Sequence, residues 1–201
     1  MKGKLPELSH HTLLFGKDWA PDFRAVYHGP EPARPLDCSH SIYISKTSAT
    51  DPDVAPEGHE NLFVLIPVPA DSALGHGNAY RDSPSAHVEA IADAAVKQIG
   101  DWAGIADLEE RIVIRRTLGP ADFAERYHAW RGGSIGPAHT LAQSAFLRGK
   151  NVSSKVAGLY YAGATTVPGV GVPMCLISAE NVLKRMHGDA TASPLSSFYP
   201  A

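Results

Sequence analysis

The residues best equipped for chemistry lie in the segment 158–187, GLYYAGATTVPGVGVPMCLISAENVLKRMH. It opens on apolar Leu159-Tyr160-Tyr161-Ala162, breaks into a loop with Gly163, Gly169 and Gly171, and re-forms at Pro173 as a predicted helix. A strand feeding a glycine loop and then a helix N-terminus can hold an anion or the polar edge of a ring. Glycine admits close backbone approach, and the first-turn amides point outward with the positive end of the helix dipole behind them. Proline costs little at the first helical position, because its missing N–H would have had no partner there. The same shape also serves as a tight loop that only closes a fold, and shape does not choose between the two. A second locus is the adjacent pair His10-His11. On a strand the two rings would point to opposite faces, so one at most looks into a given cavity. A proton donor or acceptor near a substrate competes there with a hydrogen-bonded histidine at a sheet edge.

Other groups are excluded by their spacing. Asp51, Asp53 and Glu57 lack the alternation and terminal glutamate of a calcium loop. Cys38 and Cys175 form no CxxC, so neither a disulfide framework nor a zinc site is predicted and a reducing cytoplasm is the default. The glycine-rich Gly132-Gly133-Ser134-Ile135-Gly136 has no Gly-Lys-Ser/Thr ending, which leaves ATP use unsupported. Asn151-Val152-Ser153 fits the glycosylation triplet, with no consequence unless the chain is secreted. The basic start Met1-Lys2-Gly3-Lys4 leads into Leu-Pro-Glu-Leu-Ser rather than an apolar core, so no signal peptide is predicted.

The elements that must position these groups are legible in part. Ser41–Ser45 alternates polar and apolar residues and predicts a strand with one face covered, whereas the apolar run 61–69 predicts a strand buried on both faces and ended by Pro67 and Pro69. Residues 21–40, with Pro30, Pro32 and Pro35, read as a loop, as do 51–58 and 71–81, where His76 reads as a surface residue. A helix is predicted from Ser83 or Pro84 to about Gly100, with Val88, Ile91, Ala95 and Ile99 on one stripe. The alternation over 111–118 predicts a half-exposed strand, and Pro120 starts a short helix with Phe123, Tyr127 and Trp130 on one face. The charge runs here, such as Arg115-Arg116, read as solvated edges.

Composition bounds the rest. The 201 residues are 44% hydrophobic and 19% charged, enough to build a core in one domain or two small ones. A formal charge of -3 and no long basic run give no electrostatic footprint for nucleic acid. The longest apolar run, 62–69, falls far short of the ~20 residues a spanning helix needs. Membrane contact, if made, is peripheral.

In its wording the segment 158–187 closely resembles the C-terminal flavin-binding segment of the bacterial phytoene desaturases, in the flavin amine-oxidase-like superfamily. The residues that carry the match are Tyr161-Ala162-Gly163-Ala164-Thr165-Thr166, Pro168-Gly169-Val170-Gly171-Val172-Pro173 and Ser178-Ala179-Glu180. The His-His-Thr start, the Asp-Pro…Ala-Pro-Glu-Gly turn at 51–58, and Gln143-Ser144-Ala145-Phe146-Leu147-Arg148 leading to Asn151 extend the resemblance over almost the whole chain. Gly149-Lys150 replaces the proline common after that arginine. No GxGxxG occurs, whereas the family carries that fingerprint at its N-terminus for the FAD pyrophosphate.

The resemblance implies an α/β architecture of α+β character. Residues 1–130 would form part of a substrate domain with antiparallel strands, 131–190 the final strand and helix of a Rossmann-like FAD-binding domain, and 191–201 a tail. It implies a C-terminal fragment or a chain that needs a separate N-terminal half, and a flavin half-site. There Gly163 and Ala164 approach the ribityl or phosphate part, while Gly169, Gly171 and the backbone amides from Val172 through Pro173 to Met174 face the N1/O2 edge of the ring. It implies desaturation of phytoene or a related polyene, with peripheral contact at the inner face of the membrane in the complete enzyme. His11, Arg148 and Thr166 are candidates for acid–base or polar roles, and no metal is implied. Two rival classes stay open: a related flavin enzyme of carotenoid isomerase, retinol saturase or amine oxidase type, and a non-catalytic remnant or binding module.

Overall fold

The computed structural model describes residues 1–28 and 41–195. The chain is mixed α/β and divides into two units, Met1–Gly133 and Ser134–Ala201.

In the first unit a three-stranded antiparallel sheet runs in the order β1 (His11–Leu14), β2 (Ile42–Ser45), β3 (Phe63–Leu65). Ile42 and Ile44 of the central strand point into a core completed by Leu5, Leu8, Ala95, Ile99, Ile105 and Leu108. The register His11–Ser45–Phe63 and Leu13–Tyr43–Leu65 defines the opposite sheet face, on which Leu13, Phe63 and Leu65 are exposed. The apolar run 61–69 is therefore not a strand buried on both faces. Only three of its residues pair, and they do so at the sheet edge, while Leu62 and Ile66 on either side pack against the core.

Between β1 and β2 lies α1 (Trp19–His28), where the sequence predicted a loop from Pro21 onward. Pro21 falls in the first turn, where a missing N–H is tolerated, and Asp18 accepts from the Ala20 amide at 3.0 Å. The remainder of the predicted loop, with Pro30, Pro32, Pro35 and Cys38, lies outside the described residues.

The helix α2 (Ala86–Ala103) carries the predicted stripe but runs past Gly100 and stops at left-handed Gly104. Gly100 is retained for close packing, since a Cβ there would lie 3.0 Å from the Ile105 carbonyl. Ser85 does not cap with its side chain; its hydroxyl accepts from the His76 amide at 2.9 Å. The predicted strand over 111–118 is irregular, and Ile114 is exposed. Thr117 and Asn78 exchange hydrogen bonds of 2.8 and 3.0 Å, and the Ala79 amide donates to the Thr117 carbonyl at 3.0 Å. Arg115 is not a solvated edge: it reaches α2 and ion-pairs with Glu89 and Asp93.

Helix α3 (Pro120–Tyr127) ends three residues earlier than the predicted aromatic face requires, so the Phe123 and Tyr127 rings meet at a tilt, 5.9 Å apart, while Trp130 is exposed beyond it. Its first turn holds buried Asp122, which accepts from the amides of Gly77 at 2.7 Å and Gly119 at 2.8 Å. His76 is correspondingly no surface residue: its ring lies 3.2 Å from Asp122 and 3.3 Å from Glu125. Burial alone would raise the Asp122 pKa, but the two amides and His76 outweigh it and hold the carboxyl below its ordinary value. Glycine is obligatory at 77, because a Cβ would sit 2.0 Å from the Thr117 carbonyl oxygen. Among the described residues no helix is long and apolar enough to cross a membrane.

Candidate functional site

The second unit is built around α4 (Val172–His187) and the loop that feeds it. The helix starts one residue before the predicted Pro173. Gly171 is its N-cap at φ 119°, ψ 149°, and the first helical bond runs from the Cys175 amide to the Gly171 carbonyl at 2.9 Å. The amides of Val172 and Met174 precede the ladder and have no intrahelical acceptor, whereas Pro173 has no amide to offer, so two donors rather than three face outward. At the other end Lys184, Arg185 and His187 complement the negative end of the dipole before left-handed Gly188 stops the helix. Lys184 also donates to the carbonyls of Thr191 and Ser193, and Glu180 accepts from the Leu195 amide, which ties residues 191–195 back to the helix.

The predicted strand 159–162 is not regular. It pairs through the isolated bridge Val152–Tyr160 and through bonds from Ser153 to Leu159 and from Tyr161 to Asn151, each 2.9 Å, because the chain doubles back at left-handed Gly158. A parallel bridge from Gly149 to Thr166 completes the link.

Two buried side chains shape the loop between this link and α4. Arg148, 3% exposed, donates through Nε and Nη2 to the Ala164 carbonyl at 2.9 and 2.6 Å, and to the carbonyls of Ile135, Pro137 and Gln143 at 3.2–3.4 Å. A planar fork with five donors suits such a cluster of carbonyls, and none of its N–H groups is left over for a substrate. Gly136 is needed beside it, since a Cβ there would stand 3.2 Å from Arg148 Nη2. Asn151, fully buried, sits with Thr166 and Ser178 in a polar cluster around Gly163. The asparagine of the glycosylation triplet is thus interior.

Of the residues singled out from the sequence, Arg148, Gly163, Ala164, Thr166, Gly169, Gly171, Val172, Pro173 and Met174 all fall in this unit. His11 lies in the first, on β1, bonded to the Tyr43 hydroxyl at 2.9 Å and stacked on its ring. His10 precedes the strand and escapes its alternation. Its ring lies 4.3 Å from that of His11 rather than on an opposite face, and it bonds to Thr50 at 2.7 Å. Asn151 and Ser178 are central to the loop and were missed as site residues. The triplet drew attention to Asn151 for another reason, and a serine inside a helix carries no local signal.

The loop fits a flat, polar-edged cofactor such as a flavin. Gly163, Gly169 and Gly171 all have positive φ, a Cβ at Gly163 would meet nothing within 4 Å, and at Gly169 and Gly171 the nearest atom is 3.9 Å away. Gly171 is exposed and Gly163 half-buried, whereas Gly169 is buried, and the loop leads directly to the first-turn amides of α4.

No protein-family model matches the chain. Among curated proteins it is 41% identical to a carotenoid 3,4-desaturase of Haloarcula japonica over 94% of its own length and 35% of the relative's. It is 33% identical to a zeta-carotene-forming phytoene desaturase of Myxococcus xanthus (98% and 36%) and 32% identical to a 4,4'-diapophytoene desaturase of Staphylococcus aureus (89% and 34%). The chain therefore spans about a third of the length of the curated relatives it matches.

Proposed function

We propose, for a chain that belongs with the carotenoid and phytoene desaturases, that it supplies the flavin-facing C-terminal loop and part of the substrate domain of an FAD-dependent desaturase acting on a long polyene in carotenoid biosynthesis. The observation that carries this reading is the positive-φ glycine loop of 163–171 running into the N-terminus of α4, in a chain homologous to desaturases over nearly all its length. Gly163 and Ala164 would lie along the ribityl or phosphate part. The amides of Val172 and Met174 would hold the polar edge of the ring, where donors at a helix N-terminus favour negative charge. Bound there, a flavin supplies a hydride acceptor for an allylic C–H bond. The chain's own part is to orient the ring and exclude water; among its described residues Arg148 is occupied in shaping the loop.

The higher identity to the Haloarcula carotenoid 3,4-desaturase than to the two phytoene-type enzymes favours a carotenoid intermediate as substrate over phytoene itself. The exposed sheet face with Leu13, Phe63 and Leu65 is a suitable wall for such a hydrocarbon. Because the GxGxxG fingerprint is absent from these residues, we propose that the other half of the cofactor site comes from polypeptide outside them and that the complete enzyme touches the membrane peripherally. The test is titration with FAD of the purified chain, alone and mixed with a polypeptide covering the unmatched two-thirds of the Haloarcula relative, followed by product analysis with several polyenes. A bound-flavin spectrum and a desaturated product in the mixture are expected. Absence of flavin binding in both samples refutes the reading.

A further inference from the structure

The cluster around Gly163 closes a ring of hydrogen bonds on one peptide. The Gly163 amide donates to Ser178 Oγ at 3.0 Å. Ser178 and Thr166 hydroxyls are 2.8 Å apart, and Thr166 Oγ1 donates back to the Gly163 carbonyl at 3.1 Å. The ring closes with Ser178 accepting from Gly163 and donating to Thr166, and Thr166 donating to the Gly163 carbonyl, which also accepts from the Thr166 amide at 3.2 Å. Both peptide groups flanking one positive-φ glycine are thereby held by a closed ring of hydrogen bonds. Asn151 Nδ2 lies at the centre, 3.2 Å from the Tyr161 carbonyl, and 3.1 Å from the Val167 carbonyl, Thr166 Oγ1 and Ser178 Oγ. Its two protons belong to the two carbonyls, which can only accept, and this fixes which amide atom faces them. The other amide atom, Oδ1, is buried and has no partner among the described residues.

An apolar side chain of the same volume would avoid that orphaned acceptor, which carries a desolvation cost, and would leave nothing to orient. We infer that Asn151 is a positioning residue. Through the Tyr161 and Val167 carbonyls it fixes the two ends of the 161–167 loop, and with Thr166 and Ser178 it sets the Gly163 peptide planes before a cofactor arrives, without itself touching the cofactor. This rests on the reading of the loop as flavin-facing; the orientation of the loop itself does not.

The experiment is amide hydrogen exchange of the cofactor-free chain, resolved by residue, for wild type and for Asn151→Leu, Thr166→Val and Thr166→Ser, with FAD titration of the same samples in the presence of the complementary polypeptide. Loss of one such hydrogen-bonded anchor predicts roughly tenfold faster exchange at Gly163 in Asn151→Leu and Thr166→Val. Thr166→Ser, which keeps the hydroxyl, retains wild-type protection. Exchange over residues 179–183 of α4 stays unchanged in all three, which a general loss of stability would not allow. FAD affinity falls in the first two variants and is restored in the third. Wild-type protection of Gly163 in a folded Asn151→Leu protein overturns the inference. If Asn151→Leu does not fold, the Thr166→Val and Thr166→Ser pair decides, equal exchange in the two being the overturning result. Faster exchange without flavin binding by any sample leaves the positioning role standing and refutes the flavin reading instead.

Discussion

Replacing Gly171 separates the backbone requirement of the loop from its ligand requirement. The residue sits at φ 119°, ψ 149°, a region that only glycine populates, yet a Cβ there would meet nothing nearer than Met174 Cγ at 3.9 Å. In the absence of cofactor the cost of Gly171→Ala is therefore strain and not collision, about 1–3 kcal/mol, or roughly 5- to 150-fold in the population of the native loop. Gly188→Ala is the control, because Gly188 lies in the same unit at φ 68° with open space around it, and an ordinary left-handed position costs roughly 1–2 kcal/mol. Urea unfolding followed by circular dichroism should find both variants destabilised to a similar degree. Flavin titration in the presence of the complementary polypeptide should separate them. Gly188→Ala binds FAD as wild type does once folded, while Gly171→Ala binds more weakly and Gly171→Val, with a branched side chain on the bare side of the loop, does not bind. Equal flavin affinity for Gly171→Val and wild type would show that no ligand approaches the backbone there.

Further perturbations test the supporting structure. Arg148→Lys keeps the charge but loses the fork, including the paired bonds to Ala164, and is expected to destabilise the second unit by about 2–4 kcal/mol, read by hydrogen exchange of residues 163–171. All three tryptophans lie in the first unit, so their fluorescence serves as the internal control. Asp122 has a folded-state pKa below its ordinary value, so its ionised form contributes stability that is complete above the ordinary carboxylate range and is lost as pH falls through the depressed value. The stability difference between wild type and Asp122→Asn, measured by urea unfolding of the first unit, should be constant near neutral pH and shrink in acid. A difference independent of pH would remove the carboxylate from this role.

What the sequence made legible was local. The loop and α4 follow from Gly163, Gly169, Gly171 and Pro173, residues whose backbone preferences act within a turn, and the helix bounds came out within one residue at the start. The stripe of α2 was equally plain, because Val88, Ala95 and Ile99 are all buried and the last two meet the core. Asn151 was not legible as a site residue, since its importance lies in four oxygens contributed by positions 161, 166, 167 and 178, which no spacing in the sequence brings together. Gly100 misled for a related reason: a glycine reads as a helix stop, and only the nearby Ile105 carbonyl reveals that it is there for space.

The errors over 61–69 and 111–118 share one cause that bears on function. Periodicity and apolar content report what a segment's side chains tolerate; they do not report whether a partner strand is present. Phe63, Val64 and Leu65 are suited to burial and lie at an open edge, and Val113 and Ile114 are suited to a sheet and pair with none among the described residues. Val172 and Leu176, one turn apart on α4, are likewise exposed. Apolar strand edges left open invite pairing with another chain and are ordinarily covered or blunted. On the proposed reading their cover comes from the polypeptide that completes the flavin site, which makes a second consequence measurable. Mixing that polypeptide with this chain should slow exchange at the Phe63–Leu65 amides whether or not FAD is added, and unchanged exchange there would mean that the completing half, if it binds, binds elsewhere.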